Sequence, residues 1–334
     1  MNGTFEPETN DRDRRVVDWL LEESQPAVRH RVLVDLLDRP AADPEVRSAR
    51  ATIARVGWAH DQLRLQGPKG FWEPHAPRTV REYLDFLYFP PYRSTNWRAL
   101  VLSELDVDPG HPGIKKIAEL LFEYKLRLSS PLNFFYEEMC ISANTARMLT
   151  RFGHGDHPKV QKLWDWLIED QRADGGWNCS QGTPGTLDVW EPLAAFAAVP
   201  PSKRSAKMRA AIDRGAEFYL ERKLFREGRA YPPWLRFHYP NHYFYDILIG
   251  LDLITQLGFA RDRRLRPALE ILAKKRQRDG TWLMDRLHPD VGPGVTIHPD
   301  PKKIRPLVLE PAGRPSKWIT MKALRVLKRV ESAS

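Results

Sequence analysis

Along most of the chain, apolar residues recur every three or four positions between polar ones, the period of an amphipathic helix. This pattern predicts short helices at 16–21 and 28–37, split by Pro26, and a longer one at 45–65 behind Pro44. After an irregular aromatic stretch at 83–92, Ser94 or Thr95 is placed to cap a helix at 96–105. Further helices are predicted at 112–125, 136–152, 157–170, 186–198, 205–223, 241–257, 263–275 and 316–330, with Gly153, Gly155, Pro200, Pro201 and Gly258 among the stops. Almost nothing alternates with the period of a strand. Two kinds of helix alternate: one is studded with charge, the other is apolar and small, as in Trp97-Arg-Ala-Leu-Val-Leu or 189–198.

The turns between them repeat. Gln66-Gly-Pro-Lys-Gly-Phe-Trp72 and Gln171-Arg-Ala-Asp-Gly-Gly-Trp177 share Gln, three residues, Gly, any residue, Trp. Arg276-Gln-Arg-Asp-Gly-Thr-Trp282 keeps the Gly and Trp but has Arg where Gln is expected. The three tryptophans are spaced by 105 residues both times, which marks an internal repeat. Half that period is about one helix hairpin, and degenerate turns are expected near 128–134 and 228–234. In such a turn the Gln side chain clamps backbone, the Gly takes a positive φ and the Trp packs across. Charged helices outside and apolar helices inside predict closure into a ring; an open superhelix would need a polar concave face.

Composition adds little chemistry. A chain of 334 residues buries a large core, and 52 basic against 43 acidic residues give a net charge of +9. The basic groups spread over helix faces, such as Lys203, Arg204, Lys207 and Arg209, without a nucleic-acid module, so no nucleic acid is expected as partner. The polar N-terminus has no signal-peptide pattern and no run of 18 apolar residues occurs, so a cytoplasmic protein without a transmembrane segment is expected.

The alternating helices and their Gln-to-Trp turns, over about residues 45–330, resemble the terpenoid cyclase and protein prenyltransferase superfamily of α/α toroids. Within it the chain is similar to short bacterial squalene cyclase-like or prenyltransferase repeat proteins. The resemblance implies an all-α, (α/α)6-type toroid: residues 1–43 as a helical pair closing the ring, 44–334 as the toroid, and a lid at 283–315. It also implies a central cavity opening where the inner helices begin.

The residues at those starts are the candidate site. Thr95, Asn96 and Trp97 open one helix, and Glu137, Glu138, Cys140 and Asn144 the next. Asp188, Trp190 and Glu191 follow, then His238, Asn241, His242, Tyr245 and Asp246, and last Ser316, Lys317, Trp318 and Thr320. Ser, Thr and Asn here serve equally as caps, and Asp188 and Glu191 as first-turn acids. Leu235-Arg-Phe-His-Tyr-Pro-Asn-His-Tyr-Phe-Tyr-Asp246 is costly to bury without purpose. His242, Asp246, Asp188, Tyr245 and Glu191 are the catalytic candidates, with Trp97, Asn144, Trp190, His238 and Trp318 as substrate contacts.

Other family motifs are missing. Neither the Asp-x-Asp-Asp acid that protonates squalene nor the Asp-Asp-x-x-Asp magnesium motif occurs, and Asp188 lacks the Cys two residues on that holds prenyltransferase zinc. His288 and His298 each open a His-Pro-Asp in the long loop, readable as a lid or, more weakly, a metal site. Cys140 and Cys179 are open to three readings: buried thiols, a disulfide, or zinc ligands with His242. The function expected is an enzyme on a hydrophobic isoprenoid or polycyclic substrate. The alternatives are a non-catalytic lipid- or protein-binding toroid, and a carbohydrate-active (α/α)6 enzyme with paired carboxylates.

Overall fold

The computed structural model describes residues 10–73, 75, 78, 79, 82, 95–125, 139–180, 182–228, 231–288 and 307–333. Among these, helices dominate and pairing of extended chain is limited to one bridge, Leu283 with Pro315. The inner helices are α2 (Pro26–Arg31, continued by a π-turn at Val32–Leu36), α5 (Thr95–Glu104), α7 (Met139–Leu149), α9 (Glu191–Ala198), α11 (Ile247–Ile254) and α13 (Lys317–Ala333). Around them lie α1 (Asp11–Leu20), α3 (Pro44–Thr52), α4 (Gly57–Leu63), α6 (Pro112–Leu120), α8 (Pro158–Glu169), α10 (Ala206–Glu221) and α12 (Arg266–Lys274). Burial follows the apolar pattern. Every residue of α11 is buried, whereas α12 buries Ala268 and Leu272 alone.

The inner helices form a ring. α5 packs beside α7, α7 beside α9, α9 beside α11, α11 beside α13, and α13 beside α2. The last gap is bridged by charge: Asp106, just past α5, meets Arg31 at 3.0 Å and His30 at 3.5 Å on α2. The fold is thus an α/α toroid.

The three Gln-to-Trp turns are built alike. The indole N–H of Trp72, Trp177 and Trp282 donates to the carbonyl ten residues back, on Gln62, Leu167 and Leu272, at 2.9, 2.8 and 2.8 Å. Gln66 Nε2 donates to its own turn at Gly70 O (3.0 Å) and to Gly113 O of the next outer helix (3.1 Å). Gln171 does the same with Gly175 O (2.7 Å) and Ala211 O (2.9 Å). In the third turn Arg276 Nε takes the bond to Gly280 O at 3.3 Å, and a second guanidinium nitrogen reaches Asp13 on α1. The deviant Arg is therefore an adaptation: α1 is the next outer helix round the ring, and Arg276 ties the chain's two ends together. The turn glycines need both φ > 0 and close approach. At Gly175 (φ 87°) an added Cβ would stand 2.5 Å from Arg214 O on α10, and at Gly280 (φ 93°) 2.9 Å from Val16 on α1.

Several expected elements are corrected. The helix expected at 45–65 is two helices, because Gly57 (φ 75°) turns the chain against Gln25, whose Oε1 accepts from Trp58 N at 3.3 Å. The helix expected from 186 begins at Glu191, since Thr186 bonds outward to Glu227 at 2.8 Å. The one expected from 241 begins at Ile247, with Asp246 and not Asn241 as its cap. Ser316 does cap α13, accepting from Ile319 N at 3.1 Å. The turn expected at 128–134, Ser94, Glu137, Glu138 and His298 lie outside the described residues. In the turn expected at 228–234, Trp234 donates to the Asp188 side chain at 2.7 Å and to no helix carbonyl.

Candidate functional site

Three of the expected catalytic residues are structural. Asp246 accepts from Leu248 N (3.0 Å), Ile249 N (3.1 Å), His238 N (3.1 Å) and Asn241 Nδ2 (3.2 Å), and stands 2.9 Å from His238 Nδ1. A carboxylate so committed caps α11 and ties down the preceding loop; it has no lone pair left for proton transfer. The Tyr245 hydroxyl donates to Leu224 O at 2.8 Å, a buried staple. Asp188 is exposed and holds the Trp234 indole. The residues from Leu235 to Asp246 are thus largely a self-bonded loop and not the first turn of a helix.

The zinc set is not assembled. Among the described residues no group of three or more His, Cys, Asp or Glu converges on a metal position, so Cys140, Cys179 and His242 are not brought together, and no disulfide joins the two cysteines. His242 (φ 48°) stacks on Trp97, ring centroids 4.6 Å apart. Burial, with His288, Arg147 and His238 nearby, holds its imidazole well below the ordinary value. His288, from the first His-Pro-Asp, packs edge-on to Phe244 at 4.5 Å and is likewise kept neutral by burial.

What remains is a group of buried polar atoms. Glu191 opens α9 and is fully buried, and no other described residue donates to either carboxyl oxygen. Burial and then the Cys179 sulfur push this carboxyl well above the ordinary range, overcoming the pull of Arg147. Asn144, on the inner face of α7, has neither amide atom hydrogen-bonded to a described residue. The indole N–H groups of Trp190 and Trp318 and the Nε2 of His238 are in the same condition. Trp318 stacks on Tyr239 at 4.7 Å, and the Arg147 guanidinium lies 5.3 Å above the Trp190 ring. Buried polar groups are almost always paired, so these five residues are the candidates for contact with a ligand. Two stand at or next to the start of α9, one at the start of α13, one within α7 and one in the loop before α11.

Below them a cavity of ≈ 80 Å³ opens on the ring axis. Its lining is mixed. Arg147 of α7, Arg151 just past its end, Lys322 and Arg325 of α13, and Arg31 of α2 line it with Glu104 and Asp252, beside Ala194, Ile249, Leu253 and Met321. Arg147 binds Glu104 at 2.8 Å, and Arg325 binds Asp252 at 2.5 Å and Asp35 at 2.7 Å. Burial opposes it, but Arg147, Lys322 and Arg151 hold the Glu104 carboxyl below its usual value. These cationic residues were not singled out from sequence. The available signal was charge spaced four apart, at Arg147 and Arg151, inside a helix otherwise apolar enough to be an inner one.

No protein-family model matches the chain, and no curated protein matches it. Among solved structures the chain is similar to a protein from Actinoplanes, at 17% identity and TM-score 0.42, covering 95% of this chain and 98% of that one. It is also similar to the type II terpene cyclase MstE from Scytonema in its apo form, at 14% identity and TM-score 0.41, covering 93% and 87%. Among the described residues no helix is long and apolar enough to cross a membrane.

Proposed function

We propose that the toroid is a terpenoid-cyclase-like enzyme in which Glu191 donates a proton to an apolar, electron-rich substrate, an olefin of the isoprenoid kind. The observation behind this reading is the Glu191 carboxyl itself: buried, hydrogen-bonded to no other described residue, and with its pKa pushed up by burial. A carboxyl whose pKa is raised by its surroundings still carries its proton where an ordinary glutamate has lost it, as a general acid must. The O–H bond breaks toward a substrate carbon, the carboxylate left behind gains the attraction of Arg147, and the new cation faces the rings of Trp97, Trp190 and Trp318. Loss of a proton from the product cation restores the acid. His242, held neutral beside Trp97, is a base suited to accept that proton.

The test is turnover of linear polyprenyl olefins of increasing length by purified protein and by Glu191→Gln. Product is expected with wild type and a loss of roughly 10²–10⁴-fold in the variant. Squalene should yield no hopene, because the Asp-x-Asp-Asp acid is missing. Equal turnover by Glu191→Gln would remove Glu191 from the chemistry.

A further inference from the structure

The cavity on the ring axis carries more positive charge than its neighbours neutralise. Its lining holds five cationic side chains and two carboxylates. Arg325 is fully engaged by Asp252 and Asp35, and Arg31 by Asp106 at 3.0 Å. Of Arg147, Arg151 and Lys322, only Arg147 lies within ion-pair distance of Glu104; Lys322 feels Asp252 and Glu104, and Arg151 feels Glu104 and Asp106, from farther off. Arg151 spends one nitrogen on Ser103 O at 3.2 Å. Lys322 Nζ has two aromatic faces, Tyr239 at 5.6 Å and Trp318 at 6.0 Å, and no carboxylate within 4 Å among the described residues.

Cations at helix ends have a plain explanation, since they complement the negative end of the helix dipole. Arg31 closes α2, and Arg151 follows the end of α7, so that account covers both. It reaches Arg147 too, in the last turn of α7, but not Lys322, in the first half of α13. Both point inward from different helices onto the same small space. We infer that this cavity is a binding site for a small tetrahedral oxyanion, phosphate or the phosphate of a small ester, held between Arg147, Arg151 and Lys322. Guanidinium forks and an ammonium converging from two helices match the spread of phosphate oxygens. Charge mismatch shows in the cations themselves. Burial, then Arg147 and Arg31, bring the Arg151 guanidinium down to about 10, and burial lowers Lys322 as well. A bound dianion would reverse both shifts.

This inference does not depend on Glu191 as an acid. The experiment is calorimetric titration of the full chain with inorganic phosphate and, as a second arm, glycerol phosphate, each at two salt concentrations. One saturable site is expected, weaker at high salt, with Lys322→Gln and Arg151→Gln each lowering affinity at least about tenfold. Exposed Lys207→Gln should bind as wild type does. Binding in both arms means that free phosphate suffices; binding of the ester alone means that the site takes a phosphate head group. Thermal melting of Lys322→Gln without anion checks folding, and it should match or exceed wild type because an uncompensated buried cation is gone. No saturable binding in either arm, or undiminished binding by a folded Lys322→Gln, overturns the site.

Discussion

The turns on the rim and the groups inside the ring use buried polar atoms in opposite ways. At the rim the repeated clamp groups are paired: three Trp indoles on carbonyls ten residues back, and two Gln amides and one nitrogen of the Arg276 guanidinium bridging to the next outer helix; Arg172 Nε and Arg276 Nη1 are the buried exceptions. Inside, Glu191, Asn144, Trp190, Trp318 and His238 each bury a polar atom with no hydrogen-bond partner among the described residues. Pairing contributes stability, and leaving a buried group unpaired costs about 1–3 kcal/mol. The rim is therefore where the fold is held, and the interior is where stability has been given up for something else. Replacing a rim residue should cost stability; replacing an interior one should leave it unchanged or raise it.

The sharpest break of that contrast is Arg276→Ala. It removes one of the two arginines paired with Asp13, a carboxylate with no exposed surface, and leaves Arg12 at 3.1 Å as the other. A loss of about 2–3 kcal/mol, that of a charged hydrogen bond across the seam between α12 and α1, is expected in denaturant unfolding. Little or no loss would mean that the ends are not held there.

Glu191 predicts the opposite sign. Its folded pKa is raised, so its contribution to stability is present below the unfolded value of about 4.3 and is lost as pH rises toward the folded one. Above pH of about 4.3 wild type should lose stability relative to Glu191→Gln by about 1.4 kcal/mol per pH unit, levelling off at the folded pKa. Parallel stability curves for the two proteins would show that the carboxyl is not buried neutral. The smallest effect belongs to Gln171→Ala. Two backbone contacts are lost at a half-buried site, and about 1–2 kcal/mol is expected, with any interior activity unchanged.

The ring was legible in the sequence because its signal repeats: a Gly and a Trp at fixed spacing three times, and helices whose composition alternates. Arg276 was legible only as a departure, since its partner Asp13 lies 263 residues away and nothing local announces it. Glu191, Asn144, Trp190, His238 and Trp318 could be picked out as starts of inner helices. Asp246 could be too, but an acid at a helix start serves as well for a cap, and only the four donors around it decide. Arg147, Arg151 and Lys322 went unnoticed for the reverse reason. Charge on a helix usually faces water, and sequence periodicity does not say that α7 and α13 turn theirs toward the ring axis.

The central claim, that Glu191 is a buried neutral acid, is tested most directly by infrared spectroscopy of its carboxyl group. Difference spectra of wild type against Glu191→Gln at neutral pH should contain the C=O stretch of a protonated carboxyl, insensitive to deuterium exchange over short times and persisting well above the ordinary carboxylate range. A carboxylate stretch in its place would contradict the account.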